Sequence, residues 1–582
     1  MTAGLKVLIV GGYGVFGGRI VELLEDEPLL TLFIGGRSLA KANAFIATRQ
    51  HARASIVPAA IDRNGDIDGQ LSTFRPDIVV DASGPFQAYG ESPYRMVEAC
   101  LAQGINYLDL ADGSNFVAGI KAFDARARTA GLYIVSGASS FPVLTAAVVR
   151  RLSAGMAAVK TIRGGIAPSP YAGVGENVVR AIAAYAGQPT GRKRGGTFGV
   201  GYPLTEHVSY TIAPPGRIPL RRTMFSLVDV PDLLALVELW PGAGEIWMGA
   251  GPVPAVLHHF LAGLARLVRW GLLPTLSPLA PLMHWATNHI RWGEHRGGMF
   301  VEVGGEDRTG AGVKRSWHLL AEGNDGPLIP SMAVEAIVRN VLRGRSPPAG
   351  ARAAVRELEI DAYEQLFAGR SVYTGMRDDD ASDTLPLFAR VLGDAWHRLP
   401  AEIRDLHDIH DAAAAEGRGR VERGRSIPAR LVCKLIGFPQ TNPDTPVRVE
   451  FIASNGAETW IRSFGRDRFS SRQFAGYGRS ERLLCERFGP LSFAMALVVD
   501  EARLSLVLRR WSAFGVPLPL WLAPRSNSYE NAEQGRFNFH VAIGHPLTGP
   551  IIRYDGWLAA THPVGAKAQS TASSPTREPA RS

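Results

Sequence analysis

The sequence predicts an α/β protein: a parallel sheet with helices on both faces, an α+β domain inserted into it, and a mainly β domain at the C-terminal end. Three observations lead there. Near the N-terminus an apolar run breaks into a glycine turn and opens an amphipathic helix. Strand-like and helix-like stretches then alternate to about residue 140. Beyond about residue 385 the texture becomes short alternating β-like runs separated by turns.

The first element is the apolar run Lys6–Val10, followed by Gly11-Gly12-Tyr13-Gly14-Val15-Phe16-Gly17. This order suits a Rossmann-like dinucleotide site. Gly12 is expected at the tight turn, and Gly14 where a pyrophosphate must approach the backbone. Gly17 is expected where the helix packs close to the strand, with the helix N-terminus facing the phosphates. The second strand, Leu30–Ile34, tells which dinucleotide. An Asp or Glu about 20 residues past the glycines would accept the ribose hydroxyls of NAD. Here the chain reads Gly35-Gly36-Arg37-Ser38-Leu39-Ala40-Lys41. Arg37, Ser38 and Lys41 form a pocket for a 2′-phosphate, which favours NADP(H).

Further strands are expected at Ala54–Pro58, Pro76–Asp81, Asn106–Leu110 and Leu132–Val135, with helices near 93–103 and 115–129. Ligands lie beyond the C-terminal ends of such strands. Asp62 is therefore placed near an adenine, and Ser83, Gly84 and Pro85 near the nicotinamide half. Asp109 and Asp112 are placed toward a substrate, each with a turn or cap role as the alternative. Tyr107, Asp109, Ser139 and Tyr89 are the candidate proton donors or orienters, since hydride transfer often needs one beside the cofactor. The Rossmann part carries no Tyr-x-x-x-Lys pair.

The domain boundaries follow: 1–140 Rossmann-like, 141–350 an α+β substrate and dimerisation domain, 351–384 a linker, 385–560 a β-rich domain, and 561–582 a Ser/Thr/Ala/Pro-rich disordered tail. In the second domain, strands at 161–166, 299–303 and 314–320 accompany helices at 176–186 and 331–342, the last expected to return to the first domain. A strand is expected at 356–360. The apolar segment 253–290 includes 21 residues, Trp270 to Ile290, without Asp, Glu, Lys or Arg. That length would span a bilayer. Pro274, Pro278 and Pro281 interrupt it, which points to an interfacial amphipathic hairpin, a lid, or a core or dimer-interface helix pair. In the C-terminal domain a helix is expected at 388–397. Runs at 447–452, 458–464, 492–499, 504–508 and 537–543 suggest a curved antiparallel sheet, a small barrel or a helix-grip fold around an apolar pocket. Glu458, Trp460 and Arg462 share one face of a strand.

Composition excludes several classes. The net charge is +9, from eight lysines and 55 arginines against 54 acidic residues, and the basic residues are dispersed, so nucleic acid is not an expected partner. Cys100, Cys433 and Cys485 form neither a disulfide framework nor a zinc motif, which suits a reducing cytoplasm. The chain enters a strand by Leu5, leaving no expected room for a cleavable signal peptide. His407 and His410 flank Asp408, but without further clustered ligands no metal is expected. The expected partners are a small, apolar molecule, a membrane surface met peripherally through 253–290 at the inner membrane, and a second copy.

Residues about 5–345 resemble the saccharopine dehydrogenase-like reductases. The resemblance is carried by 12–17, the Gly36-Arg37-Ser38 turn, Asp81-Ala82-Ser83-Gly84-Pro85-Phe86, Tyr107-Leu108-Asp109 and Ser136–Pro142. It implies a Rossmann domain joined to an α/β domain with an antiparallel sheet, and a nicotinamide-dependent oxidoreductase. The chain lacks the Asp that precedes the Ser-x-Pro of the lysine-pathway members, and it shows no recognisable Arg pair for two substrate carboxylates. Saccharopine is therefore not the expected substrate, and an acyl or isoprenoid-like molecule is. Residues about 385–560 resemble a bacterial domain of no assigned function found fused to such reductases, carried by 399–400, 421–424, 458–464, 486–490, 515–519 and 553–558. A non-catalytic NADP-binding sensor or scaffold with a lipid-binding C-terminal domain is the alternative reading.

Overall fold

Val7 to Val10 are buried on both faces of the first strand, as an uninterrupted apolar run requires of a central parallel strand. The computed structural model describes residues 4–251, 255–379 and 384–561. The chain divides into two units, Met1–Pro215 with Pro219–Asp380 and Gly216–Ile218 with Ala381–Ser582.

In the first unit, β1 (Leu5–Val10), β2 (Leu30–Gly36), β3 (Ser55–Ala60), β4 (Ile78–Asp81), β5 (Asn106–Asp109) and β6 (Tyr133–Ser136) lie in the order 6-5-4-1-2-3, all parallel. The order reverses between β1 and β4, so a crevice opens beyond their C-terminal ends. Helix α1 (Val15–Leu24) follows β1 and α2 (Leu39–Ala47) follows β2. The expected helix at 115–129 is broken into Ser114–Gly119, a 3-10 turn at Ile120–Phe123 and Asp124–Ala130.

The inserted part builds a second, mixed sheet in the order His207–Tyr210, Thr223–Leu227, Glu245–Ala250, Ala158–Ala167, Gly297–Glu306, Gly312–Ala321, Val372–Asp378. Its final long helix, Ile329–Leu342, does return to the first sheet. There the Arg339 guanidinium donates to the Leu23 carbonyl at 2.8 Å and pairs with Asp26 at 2.7 Å.

Residues 351–379 of the expected linker are folded. Gly350–Ala353 adds a seventh parallel strand beside β6, Ile360–Phe367 is a helix, and Val372–Asp378 is an edge strand of the second sheet. The strand expected at 356–360 therefore lies earlier. The short Gly350–Ala353 run is held by parallel ladder bonds to Tyr133–Ser136 and by Asp124 accepting the Ala351 N–H at 2.9 Å, neither of which periodicity reveals. Residues 380–383 of the expected linker and the tail from residue 562 lie outside the described residues.

The apolar segment, described from residue 255, forms helices Ala255–Arg269 and Ala280–His289 joined through a 3-10 turn at Ser277–Leu279. No helix among the described residues is long and apolar enough to cross a membrane. Pro278 and Pro281 sit in first helical turns, where a missing N–H costs nothing. The inner faces (Ala265, Val268, Leu276, Ala280) pack on Ala183, Ala186 and Leu204. The outer faces leave Phe260, Trp270, Leu272, Leu282, Trp285 and Trp292 exposed.

The second unit is an antiparallel barrel. Ten strands between Ala412 and Thr561 pair in sequence around a ring, closed where the first, Ala412–Arg423, pairs with the last, Gly549–Thr561, and Val516–Leu518 adds an outer strand. Closure removes the free edges of the sheet. Helix Ile427–Ile436 packs on the Ala412–Arg423 and Gly549–Thr561 strands, and Leu387–Leu392 and Ala401–His407 contribute Phe388, Ile403 and Leu406 to the core.

Candidate functional site

The crevice begins at the glycine turn. Gly11, with φ at +78°, makes the left-handed bend that was expected of Gly12. Gly12 is needed for another reason, since a Cβ there would lie 2.9 Å from the Ile9 carbonyl oxygen and 3.1 Å from Ile34. Gly17 has the expected role: a Cβ would lie 2.2 Å from the Gly11 carbonyl oxygen, so only glycine lets α1 pack against the turn. Gly14 caps α1 and is exposed, and the amides of Val15, Phe16 and Gly17 open the first turn with no carbonyl one turn before them. Together these form an anion cradle at a helix N-terminus.

Tyr13 ties this turn to the second strand. Its hydroxyl accepts the Ser38 N–H at 3.2 Å, and its ring lies over Gly36, where a Cβ would come within 2.4 Å of it. The Ser38 hydroxyl caps α2 by accepting the Lys41 N–H at 3.3 Å. Arg37 and Lys41 are exposed beside this second helix N-terminus. A guanidinium, an ammonium and free helix amides thus meet at the end of β2, where a ribose 2′-phosphate lies in this fold class. Asp62 plays the turn role: its carboxylate accepts the Asn64 N–H at 3.0 Å, and its own N–H donates to Gln70 at 2.7 Å.

Across the switch point, β4 ends at Asp81, which is 1% exposed. Its Oδ1 accepts the Ser83 N–H at 2.9 Å and the Ser83 hydroxyl at 2.6 Å, and the Tyr89 hydroxyl lies 3.2 Å from Oδ2 and 2.9 Å from Ser83 Oγ. Burial raises the pKa of Asp81, and burial with the Asp81 charge raises that of Tyr89. The Arg63 guanidinium covers the Tyr89 ring. This network fixes Ser83, Gly84 and Pro85 at the crevice wall. From the inserted part, the Asn177 amide donates to the Gly84 carbonyl at 2.8 Å, and Gly175 meets Val15 at the phosphate end. Asn177 lies far away in sequence on a helix of ordinary pattern, so nothing in the sequence signals it. The role of Asp81 had a signal, a carboxylate ending a wholly apolar strand.

The candidate proton donors separate. Tyr107 is 1% exposed in the hydrophobic layer with Val79, Val97 and Ile120, and burial with Asp109 raises its pKa, so it is withdrawn from contact with a ligand. Asp109 is also sealed, at 0% exposed. Its Oδ1 accepts the Gly137 N–H at 2.7 Å, the Ala111 N–H at 2.9 Å and the Ser136 hydroxyl at 3.0 Å, while Oδ2 has no hydrogen-bond partner. Burial lifts its pKa to about 7 despite these donors. Asp109 therefore ties the loops after β5 and β6 together as a positioning residue. Ser139 is half-buried on that second loop, its N–H bonded to the Gly137 carbonyl at 2.8 Å. Asp112 remains half-exposed at the end of β5, with the Gln87 amide 3.2 Å away. Burial foremost, and the Asp229 charge, push its pKa up to about 6, in the range suited to proton transfer near neutrality. Asp229 itself accepts the Ser114 and Thr190 hydroxyls at 2.5 and 2.7 Å.

In the barrel, His407 and His410 diverge. His407 is buried, stacked on Phe388, with Nε2 2.7 Å from Glu530, while His410 is exposed beside Asp408 at 3.0 Å. No group of three or more metal-ligating side chains occurs among the described residues.

Residues 7–135 match the saccharopine dehydrogenase NADP binding domain, and residues 399–558 match a domain of unknown function (DUF4166). No curated protein matches the chain. Among solved structures, saccharopine dehydrogenase (L-Glu forming) from Saccharomyces cerevisiae aligns at 13% identity and a TM-score of 0.47, over 64% of this chain and 99% of that one. A myo-inositol dehydrogenase from Corynebacterium glutamicum aligns at 11% identity and 0.32, over 64% and 98%. A probable dehydrogenase from Thermotoga maritima aligns at 9% and 0.31, over 64% and 98%. The chain thus carries, at 7–135, a nicotinamide-binding oxidoreductase domain of the saccharopine dehydrogenase type.

Proposed function

Given an NADP-binding domain of that type at residues 7–135, we propose that the protein is an NADP-dependent oxidoreductase acting on an apolar, acyl or isoprenoid-like molecule that reaches it from a membrane surface. The observation that carries the cofactor assignment is the pairing of two helix N-termini in one crevice, α1 behind the 11–17 turn and α2 flanked by Arg37 and Lys41. Bound there, NADPH supplies the hydride. Gly14 and the first amides of α1 hold its pyrophosphate, and Arg37, Ser38 and Lys41 hold its 2′-phosphate. Ser83, Gly84 and Pro85, fixed by Asp81, Tyr89 and Asn177, orient the nicotinamide half. Asp112 exchanges the proton that must accompany hydride transfer, and Asp109 keeps the loops of that wall in register.

The apolar substrate class is supported by the helix pair at 255–290. Asn288 of this pair donates to the Val174 carbonyl at 3.1 Å and accepts the Val174 N–H at 3.2 Å. It thereby pins the loop whose next residue, Gly175, lies beside Val15 at the crevice, where an added Cβ would come within 3.4 Å of the Val15 side chain. The pair exposes Trp270 and Trp285, and no Asp or Glu occurs between Glu245 and Glu294, while Arg266, Arg269 and Arg291 do. Apolar side chains with arginines and no acids suit an anionic bilayer surface.

Fluorescence titration of the purified protein with NADPH and NADH tests the cofactor reading. NADPH is expected to bind more tightly, and Arg37→Ala to weaken NADPH at least tenfold while leaving NADH unchanged, as loss of one charge-assisted phosphate contact predicts. Binding of neither dinucleotide would overturn it.

A further inference from the structure

The barrel encloses a cavity of about 330 Å³ with a predominantly apolar lining that includes Val447, Val449, Phe464, Leu506, Leu508 and Val541. A cavity of about 150 Å³ takes a benzene-sized ligand, so this space has room for an alkyl chain. A barrel core that needs no ligand fills its interior with side chains.

The polar end of this cavity is specific. Glu486 accepts the Ser471 hydroxyl at 2.7 Å, an Arg462 N–H at 3.0 Å and the Gln473 amide N–H at 3.1 Å. A carboxylate only accepts, so the nitrogen of the Gln473 amide must face it and the oxygen must point elsewhere. That oxygen, on a side chain 2% exposed that lines the cavity, has no hydrogen-bond partner among the described residues. A buried acceptor without a donor is left with its desolvation uncompensated, which a ligand donor would relieve. The same end disfavours an anionic headgroup. Arg462 is already neutralised by Glu486, and the other carboxylate on the lining is Glu530.

A route in is visible on helix Ile427–Ile436. Val432 and Ile436 face the cavity, while Ile427, Leu431 and Leu435 are 82%, 67% and 81% exposed to solvent. A helix apolar on both faces is out of place against water. Arg430 and Lys434 lie on it, and no Asp or Glu occurs between Glu422 and Asp444.

We propose that the barrel is a binding site for a neutral, long-chain lipid alcohol, its chain along the apolar lining and its hydroxyl donating to Gln473 Oε1, admitted past helix Ile427–Ile436. This site rests on the barrel alone and stands whether or not the N-terminal domain reduces anything. It is tested with the full-length protein loaded with N-phenyl-1-naphthylamine and challenged with hexadecan-1-ol, hexadecanoic acid and hexadecane. The alcohol is expected to displace the probe at a concentration at least tenfold below either competitor. Gln473→Leu should reduce its advantage over hexadecane to less than threefold, and Leu506→Trp, which fills the cavity, should abolish probe uptake. Undiminished uptake in a folded Leu506→Trp protein would overturn the proposal. So would displacement by the acid as readily as by the alcohol, or an unchanged alcohol preference in Gln473→Leu. The wild-type order of competitors decides the matter alone if a variant fails to fold.

Discussion

Asp232 shows how a single residue can set a pH dependence. It opens the helix Asp232–Leu239 at 0% exposed, and neither carboxyl oxygen has a hydrogen-bond partner among the described residues. Burial pushes its pKa from 3.8 up to about 7, with the adjacent Thr145 opposing only in part. The folded state therefore holds this proton more tightly than the unfolded chain. Its contribution is complete below about pH 4 and is lost as pH rises through about 7. At about 1.4 kcal/mol per pKa unit, a shift of that size corresponds to a loss on the order of 4 kcal/mol. Asp232→Asn, which cannot ionise, is expected to gain in melting temperature relative to the native protein as pH rises from 5 to 8.5, with a clearly larger difference at pH 8.5. Thermal melts across that range check it, and an equal difference at both pH values would sink the assignment. Asp232 had no sequence signal beyond a common helix-start residue after Pro231, whereas Gly17 was legible because one spacing has one steric reason. The exchange of roles between Gly11 and Gly12 was not, because two adjacent glycines leave φ undecided until Gly35 accepts both N–H groups, at 2.9 and 3.0 Å.

At the scale of elements, periodicity served where one face is buried and failed where pairing decides. Ala412–Arg423 reads Ala-Ala-Ala-Ala-Glu-Gly-Arg-Gly-Arg-Val-Glu-Arg, poor in β-branched residues, yet it is a 12-residue strand ladder-bonded on both sides. Two neighbouring strands override its propensity. The helix pair at 255–290 was legible as amphipathic, and its prolines excluded a plain span. What fixes it to the sheet was not legible: His258, 2% exposed, bonds Ser226 at 2.5 Å, Ser226 bonds His207 at 2.7 Å, and Arg266 reaches back to His207 at 3.0 Å. Burial pushes the His258 pKa down to about 4, so this chain stays neutral at that histidine near neutral pH and holds the helix with its apolar side outward. If that side meets lipid, Phe260→Glu with Trp285→Glu should reduce co-sedimentation with anionic vesicles at least fivefold while leaving NADPH affinity unchanged. Native binding should weaken with added salt, because the arginines act through a screened field. Undiminished sedimentation of the double variant would assign the exposed apolar faces to another partner.

At the scale of the whole molecule, the alternation to residue 140 made the parallel sheet legible, and the shift after residue 385 made a separate β domain legible. Barrel closure was not, since it depends on the pairing of Ala412–Arg423 with Gly549–Thr561, the first and last strands of the ring, and on strands such as Asp467–Ala475 and Arg525–Glu533 that carry little hydrophobic pattern. The return of Gly350–Ala353 to the first sheet was hidden for the same reason: about 200 residues separate it from the strand it pairs with. These pairings give each unit its own core, one running from the first sheet into the second, the other inside the barrel. All the groups assigned to NADP(H) belong to the first unit, and those assigned to the lipid alcohol belong to the second. A ligand that binds only the folded form of one unit stabilises that unit by RT ln(1 + [L]/Kd), about 2.7 kcal/mol at a hundredfold excess over Kd. Calorimetry of the full chain is therefore expected to show two transitions, of which NADPH raises one by several degrees and leaves the other in place. In Arg37→Ala the same NADPH concentration should raise that transition by about half as much or less, since a tenfold weaker Kd leaves about 1.4 kcal/mol. A single transition raised as a whole by NADPH would mean that the barrel and the cofactor domain unfold together, and that occupancy of the crevice is energetically coupled to the lipid cavity.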